Sequence, residues 1–440
     1  MSENVTKTVP DLAPEVPLSL PEPVERTLSN GLRFTLVRRE GVPLAELRLS
    51  VPAAHADLAV ADMAATALFT GTEKETLTEI AQRLQGVGGS LSAGADPDRI
   101  AVSGNCLASG LPELLAVLGE VLTAADFPDG PYQTERSRMI DALSVAENQP
   151  DFQVSRVLDA RLWGDHPYGH RQPTAAQIAE VGREAVRDLH RSLLHPNGAH
   201  LVIVGDIDPE RTAGDIEKAF SAWNGPGSAH RMEPLPPLRP GPVVLTDRPG
   251  SVQSAIRVAC PAVERTHPDN AAQHLANLIY GGYFTSRLVM NLRETKGYGY
   301  SPRSRIDHSP AGSVQLTSVD VATEVTAPAL AEIVDELRGM SERPPGDEEL
   351  GLARRYALGA IKLATATQAG IANYTSTLAA CGLPLSWLAE HSERLRQVTA
   401  EDIKRVAAER MDPDGAVTVI LADGGQVTEP LSEAAEIEVR

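Results

Sequence analysis

The sequence predicts an α+β protein made of two homologous units, and three observations carry that expectation. The stretches "EVGREAVRDLHRSLLHPNGAHLVIVGDIDP" (180–209) and "QVTAEDIKRVAAERMDPDGAVTVILADGG" (397–425) each read as a helix, a Pro-x-Gly turn and an apolar strand. Pro196 and Pro413 stand 217 residues apart, as do Val181 and Val398. The openings match as well: "PLAELRLSVPA" and "SVQSAIRVACPA" alternate like strands, and an Ala-rich helix ending near Gly71 or Gly281 follows each. Between the units, "GPGSAHRMEPLPPLRPGP" (225–242) is rich in Pro and Gly and reads as a linker. The competing account is a chance likeness of two helix–turn–strand units.

Taken in chain order, residues 1–24 carry Pro10, Pro14, Pro17, Pro21 and Pro23 and read as an extended arm, since proline cannot propagate a helix. The first unit spans 25–227. In it Leu77, Ile80, Ala81 and Leu84 share one helical face; Gly86, Gly88 and Gly89 end that helix and begin a return strand through "SLSAGADPDRIAVSGNC". Helices are expected over 111–123 and 133–148 and, in the second unit, over 322–340, 347–380 and 399–410. The linker spans 228–241, the second unit 242–425, and 426–440 reads as a polar, acidic, loose tail.

At 440 residues the chain is long enough for more than one core. Aromatic residues are only 4%, so those cores must be built mainly from Ala, Leu, Val and Ile. The formal net charge of -19 argues against nucleic acid, whose phosphates it would repel; it suits a basic peptide or simple solubility. No run of apolar residues has membrane-spanning length, and the N-terminus lacks the apolar core of a signal peptide. Cys106, Cys260 and Cys381 are odd in number and far apart, which fits a reducing cytoplasm better than a disulfide framework.

Several catalytic motifs are missing. There is no Gly-x-Ser-x-Gly elbow, no phosphate-binding Gly-Lys-Ser/Thr, no His-Glu-x-x-His and no His-x-x-Glu-His. His166 and His170 in "DHPYGH" have helical metal-ligand spacing, but Pro167 and Gly169 make them loop residues.

Two stretches carry a resemblance. "ADMAATALFTGTEKET" (61–76) ends in Leu68-Phe69-Thr70-Gly71-Thr72, and "GGYFTSRLVMNLRETKGYGYSPRS" occupies 281–304. With the duplicated halves, these resemble the insulinase / pitrilysin / mitochondrial-processing-peptidase family over about Glu25 to Ala422. In that family a helix bearing His-x-x-Glu-His precedes Leu-Phe-x-Gly-Thr, and a later Glu before an "E-D/N-x-P" segment completes the zinc shell. The likeness places Asp62 at the first His, Ala65 at the catalytic Glu, Thr66 at the second His and Ala142 at or beside the last ligand. A methyl group cannot serve as a base, and one carboxylate cannot hold zinc. No metal site and no cofactor are therefore expected in this chain.

The second stretch resembles the family's Gly-Gly-x-x-Ser-Arg-Leu … Leu-Arg-x-x-x-Gly-x-x-Tyr-Ser segment, whose Arg and Tyr map onto Arg293 and Tyr300. Taken alone, Arg293 reads as a surface helix charge and Tyr300 as a strand-edge core aromatic. In the family they reach substrate beside the zinc. Gly281 and Gly282 read as turn residues, Ser286 as a helix N-cap and Arg287 as its support.

The resemblance implies two units, each a mainly antiparallel sheet with helices packed on one face, forming half of a clam-shell. It implies a non-metal subunit of a heterodimeric zinc metallopeptidase that processes peptides. The partner expected is a homologous zinc-binding chain carrying His-x-x-Glu-His, with Arg293 and Tyr300 serving its site; neither nucleic acid nor membrane is expected as a partner. A scaffold or a peptide-binding homologue without catalysis is the alternative.

Overall fold

A computed structural model describes residues 16–225 and 232–440. The first unit holds strands β1 (Val24–Thr27), β2 (Arg33–Arg38), β3 (Leu44–Pro52), β4 (Ser90–Ala95), β5 (Arg99–Leu107) and β6 (His200–Gly205). They form one six-stranded sheet in the order β1-β2-β6-β3-β5-β4. The second unit holds β7 (Val243–Asp247), β8 (Gln253–Pro261), β9 (Arg303–Ser309), β10 (Gly312–Ala322), β11 (Val417–Ala422) and β12 (Ile437–Val439), in the order β12-β7-β11-β8-β10-β9. Both sheets are mixed but mainly antiparallel: β2 runs parallel to β6 in the first, and β7 parallel to β11 and β12 in the second.

The duplication holds to the register. Ile203 of β6 lies between Leu36 and Leu47; Ile420 of β11 lies between Leu245 and Ile256. The alternation read in the β3 stretch is real: Ala45, Leu47, Leu49 and Val51 are buried, with half-buried residues between them. They join Leu114, Leu118, Ile216 and Phe220 from the helices Leu111–Ala124 and Pro209–Phe220 in one core. In the second unit Ile256, Val258 and Ile420 pack with Leu275, Ile333 and Val406. Each fully buried aliphatic side chain contributes about 1.5–3 kcal/mol, and a register slip by one residue would turn this whole set outward.

The other face of each sheet is covered by a helix from the opposite unit. Helix Pro150–Trp163 of the first unit packs on β8 and β11, bringing Val154, Leu158 and Leu162 against Ala255, Val417 and Val419. Helix Gln368–Ala380 of the second unit packs on β3 and β6, bringing Ile371 and Ala372 against Val37, Val202 and Val204. A duplicated arginine ties down each crossing. Arg48 donates to Leu47 O (2.7 Å), Gly104 O (3.3 Å) and the Asn373 side chain (2.7 Å). Arg257 donates to Ile256 O (2.9 Å), Val319 O (3.4 Å), Asp320 (2.8 Å) and Asp151.

Three sequence expectations need correction. The helix expected over 347–380 is two helices, Asp347–Ala364 and Gln368–Ala380. Thr367 breaks it: its backbone is extended and its hydroxyl caps the second helix by accepting from Gly370 N–H, which frees that helix to cross to the first sheet. The return strand after Gly89 is a hairpin, β4 and β5, because Asp96 turns the chain by accepting from the N–H groups of Asp98 and Arg99. The acidic tail expected to be loose forms helix Gly424–Ala434, whose Val427 and Leu431 are buried, followed by β12 on β7.

Residues 1–15 of the Pro-rich arm and 226–231 in the linker region lie outside the described residues; 16–23 and 232–241 carry no helix or strand. No helix among the described residues is long and apolar enough to cross a membrane.

Candidate functional site

The first-unit helix, Leu58–Ala67, is capped by Asp57 and buries Ala59, Ala61, Met63, Ala64, Ala65 and Ala67. Asp62 faces the edge strand β4, where the nearby Ala95 N–H favours its ionised form. Burial pushes the Asp62 carboxyl above the usual carboxylate range, and the Ala95 N–H offsets part of that rise. Ala65 is buried, Thr66 half-buried, and Ala142 exposed on helix Asp129–Ala146. One carboxylate with two methyl groups and a hydroxyl does not fit zinc, which takes imidazole or thiolate as well as carboxylate in tetrahedral sets. Where the resemblance places the first ligand, this helix turns Asp62 toward its own sheet.

The remnant motif after it has a structural role. Leu68 enters the core, the Thr70 hydroxyl donates to Ala67 O at 2.7 Å, and the Thr72 hydroxyl accepts from the Lys74 and Glu75 N–H groups. Gly71 has φ +154°, and a Cβ there would meet the Pro128 side chain at 2.8 Å. Leu-Phe-Thr-Gly-Thr thus builds a turn that the fold needs with or without a metal.

In the second unit the corresponding region unwinds into two π-helical turns, Leu278–Gly282 and Met290–Thr295. Such turns are rare and recur at functional sites. Lys296 N–H donates to Asn291 O at 2.9 Å, the wide spacing that closes the second turn. Arg293 lies in this turn. Its guanidinium sits 4.6 Å from the Phe284 ring centre and 4.8 Å from that of Tyr300, with Glu294 at 3.3 Å. Cations are attracted to ring faces at such distances, so the two aromatics hold the fork between them. Tyr300 is 78% exposed and Phe284 62% exposed. The reading of Tyr300 as a core aromatic therefore fails, and Arg293 is more than a free surface charge.

The segment is fixed from beneath. Arg287 makes a two-bond fork to Glu349 (2.8 and 2.7 Å) and donates to Arg343 O (2.7 Å), anchoring it to helix Asp347–Ala364. Gly299 lies so close to β10 that a Cβ would stand 2.6 Å from Asp320 O. Ser286 occupies the expected cap position but makes no capping bond. Phe284 was missed in the sequence; its signal is an aromatic directly after Gly-Gly-Tyr that no core claims. His166 precedes and His170 ends the short turn Pro167–His170, where the His166 ring accepts from Tyr168 N–H, so they are turn residues.

Comparison with known proteins fits this pattern. The model of insulinase, peptidase family M16, matches residues 58–172, and that of the peptidase M16 inactive domain matches 180–356. The chain belongs to the insulinase family. An uncharacterized zinc protease of Streptomyces coelicolor is 23% identical over 365 residues, covering 80% of this chain and 78% of that one. A Helicobacter pylori protein named a non-peptidase homolog is 22% identical, covering 79% and 80%. Among insulinase-family structures, a peptidase M16 inactive domain from Pseudomonas fluorescens superposes with TM-score 0.82 at 23% identity, over 91% of this chain and 98% of that one. The Escherichia coli periplasmic protease PqqL superposes with TM-score 0.74 at 16% identity, over 95% of this chain and 51% of PqqL. Its first half alone is covered to 98% at TM-score 0.73. These likenesses extend the α+β architecture of two mixed sheets to the family.

Proposed function

We propose that this chain is the non-metal-binding subunit of a two-chain zinc peptidase that processes peptides. The observation that carries it is the contrast between an exposed, aromatic-held Arg293–Tyr300 pair and a helix with Asp62, Ala65 and Thr66 in the metal positions. Attack on a peptide carbonyl builds negative charge on oxygen, and the Tyr300 hydroxyl can donate to it. The Arg293 fork can hold neighbouring peptide carbonyls in register. The partner would be a homologous chain with His-x-x-Glu-His, which carries the zinc and the carboxylate base. In PqqL a half like this chain is joined to a second half, which supports pairing. The free edges β4 and β9 would take an extended peptide by strand addition. Buried or half-buried free thiols at all three cysteines suit a reducing compartment such as the cytoplasm.

The test is reconstitution with a zinc-bearing partner. Tyr300→Phe should lower peptide cleavage by about 10²–10³-fold, with Arg293→Ala also strongly impaired and assembly intact in both. Full activity in both variants would leave the second reading, a non-catalytic scaffold or peptide binder. The name non-peptidase homolog on the Helicobacter pylori relative favours that alternative.

A further inference from the structure

A cavity of about 1010 Å³ lies in the seam between the two units, away from the residues of the Arg293 face. Helix Pro150–Trp163 and the turn after it line one side; the ends of β7 and β11 and the terminal Arg440 line the other. Leu58, Phe152, Val157, Pro173 and Leu421 give it apolar walls.

Its charges are unequally engaged. Four carboxylates line it, and the chain itself holds each one. Asp57 accepts from Ala59 N–H (2.9 Å) and Val60 N–H (3.2 Å) at the start of helix Leu58–Ala67. Glu147 accepts from Ala175 N–H (2.7 Å) at the start of helix Ala175–Glu180. Asp247 accepts from Gly424 N–H (2.8 Å) at the start of helix Gly424–Ala434. Three negative charges therefore face positive helix ends. The fourth, Asp159, lies 3.6 Å from Arg171, and burial pushes its carboxyl up to about 6.

Of the three arginines that line the cavity, Arg171 faces Asp159 and Arg440 bonds to Glu438 at 2.8 Å, which leaves Arg156. Arg156 lies over the Phe152 ring at 5.9 Å, and among the described residues no carboxylate comes within 4 Å of it. His55 and His170 also line the space, and His55 has φ +69°, a left-handed backbone costly for a non-glycine residue. With the lining carboxylates bonded by the chain and Arg171 and Arg440 paired, Arg156 is the lining arginine left to meet an incoming anion.

We propose that the seam cavity binds the C-terminal carboxylate of a peptide with an apolar tail, with Arg156 forking onto the carboxylate and the apolar walls taking the last side chains. The site is independent of Arg293 and Tyr300 and would retain a peptide end rather than act on a bond.

The test is calorimetry on the purified full chain with acetyl-Ala-Leu-Phe as the free acid and as its C-terminal amide. The acid should bind at least about tenfold more tightly than the amide, as a charge-assisted fork requires. Arg156→Ala should remove that preference and Arg156→Glu should reverse it, each with an unchanged melting temperature because Arg156 is exposed. Arg293→Ala should leave it intact, so failure here is distinguishable from failure of the peptidase reading. Equal binding of acid and amide, binding of neither, or a preference that survives both Arg156 variants would overturn the proposal.

Discussion

The two units share a scaffold and differ in what they place on it. Leu47 pairs with Ile203 in one sheet as Ile256 pairs with Ile420 in the other. Arg48 and Arg257 even bond to corresponding carbonyls, Leu47 O and Ile256 O, then Gly104 O and Val319 O. Yet one unit turns a half-buried Asp62 onto its own edge strand, while the other holds Arg293 out between two exposed rings. Buried aliphatic residues fix register and resist change; half-buried helix positions can exchange ligands for small residues and leave the sheet untouched. Asp62, Ala65 and Thr66 therefore sit on the first-unit helix without disturbing the sheet beneath it.

That contrast can be pressed experimentally, and acid should press hardest. Burial lowers His274 to about 4 and His308 to about 3 in the second unit, and His200 to about 4 in the first. His391, also lowered by burial, is stacked between His274 and Trp387. The folded state then binds fewer protons than the unfolded one, so stability present above about 6.5 is lost as pH falls. Each histidine should remove about 1–2 kcal/mol between pH 7 and pH 5. Asp159, raised to about 6, acts with the opposite sign and offsets part of that loss. Urea unfolding at the two pH values checks the slope, and His391→Phe should flatten it.

The arginine duplicates come next. Arg257 is 6% exposed at its side chain and Arg48 15%. Arg257→Ala should cost about 2–4 kcal/mol, through a cavity and unpaired carbonyls, and Arg48→Ala about 1–2 kcal/mol. Equal losses in denaturant titrations would mean that the two crossings are tied alike. Asp62→Ala should change stability by no more than about 1 kcal/mol in the same assay, because loss of the Ala95 N–H interaction is set against relief of a buried carboxylate.

The smallest effect separates two equivalent helix starts. Thr399 and Asp402 form a reciprocal cap on Ala400–Arg410, whereas Gly182 at the matching position before Arg183–Leu193 makes no side-chain cap. Thr399→Ala should lower stability by about 1 kcal/mol, and Gly182→Ser should raise it by a few tenths, both readable as shifts in melting temperature.

What could be read in the sequence follows the same division. The alternating strands and the Pro-x-Gly turns announce themselves because period and turn chemistry are local, whereas Arg293 and Tyr300 stand out only through the resemblance of their segment to the family's. The helix break at Thr365–Thr367 has no Gly or Pro to signal it, and only the cap at Thr367 gives it away. Val427 and Leu431, four residues apart, carried the helical signal of the tail beneath its acidic composition. The helix exchange was hidden for a different reason: an apolar stripe such as Val154, Leu158 and Leu162 says that a face is buried but never by which sheet. Phe284 was hidden too, since nothing in the sequence says which aromatic will shelter an arginine.

Because each half lends a helix to roof the other half's sheet, covalent continuity through the connection matters less than mutual embrace. A chain severed between Gly225 and Met232 should stay associated and migrate as one particle. Either fragment made by itself would display a bare strip of aliphatic sheet to water.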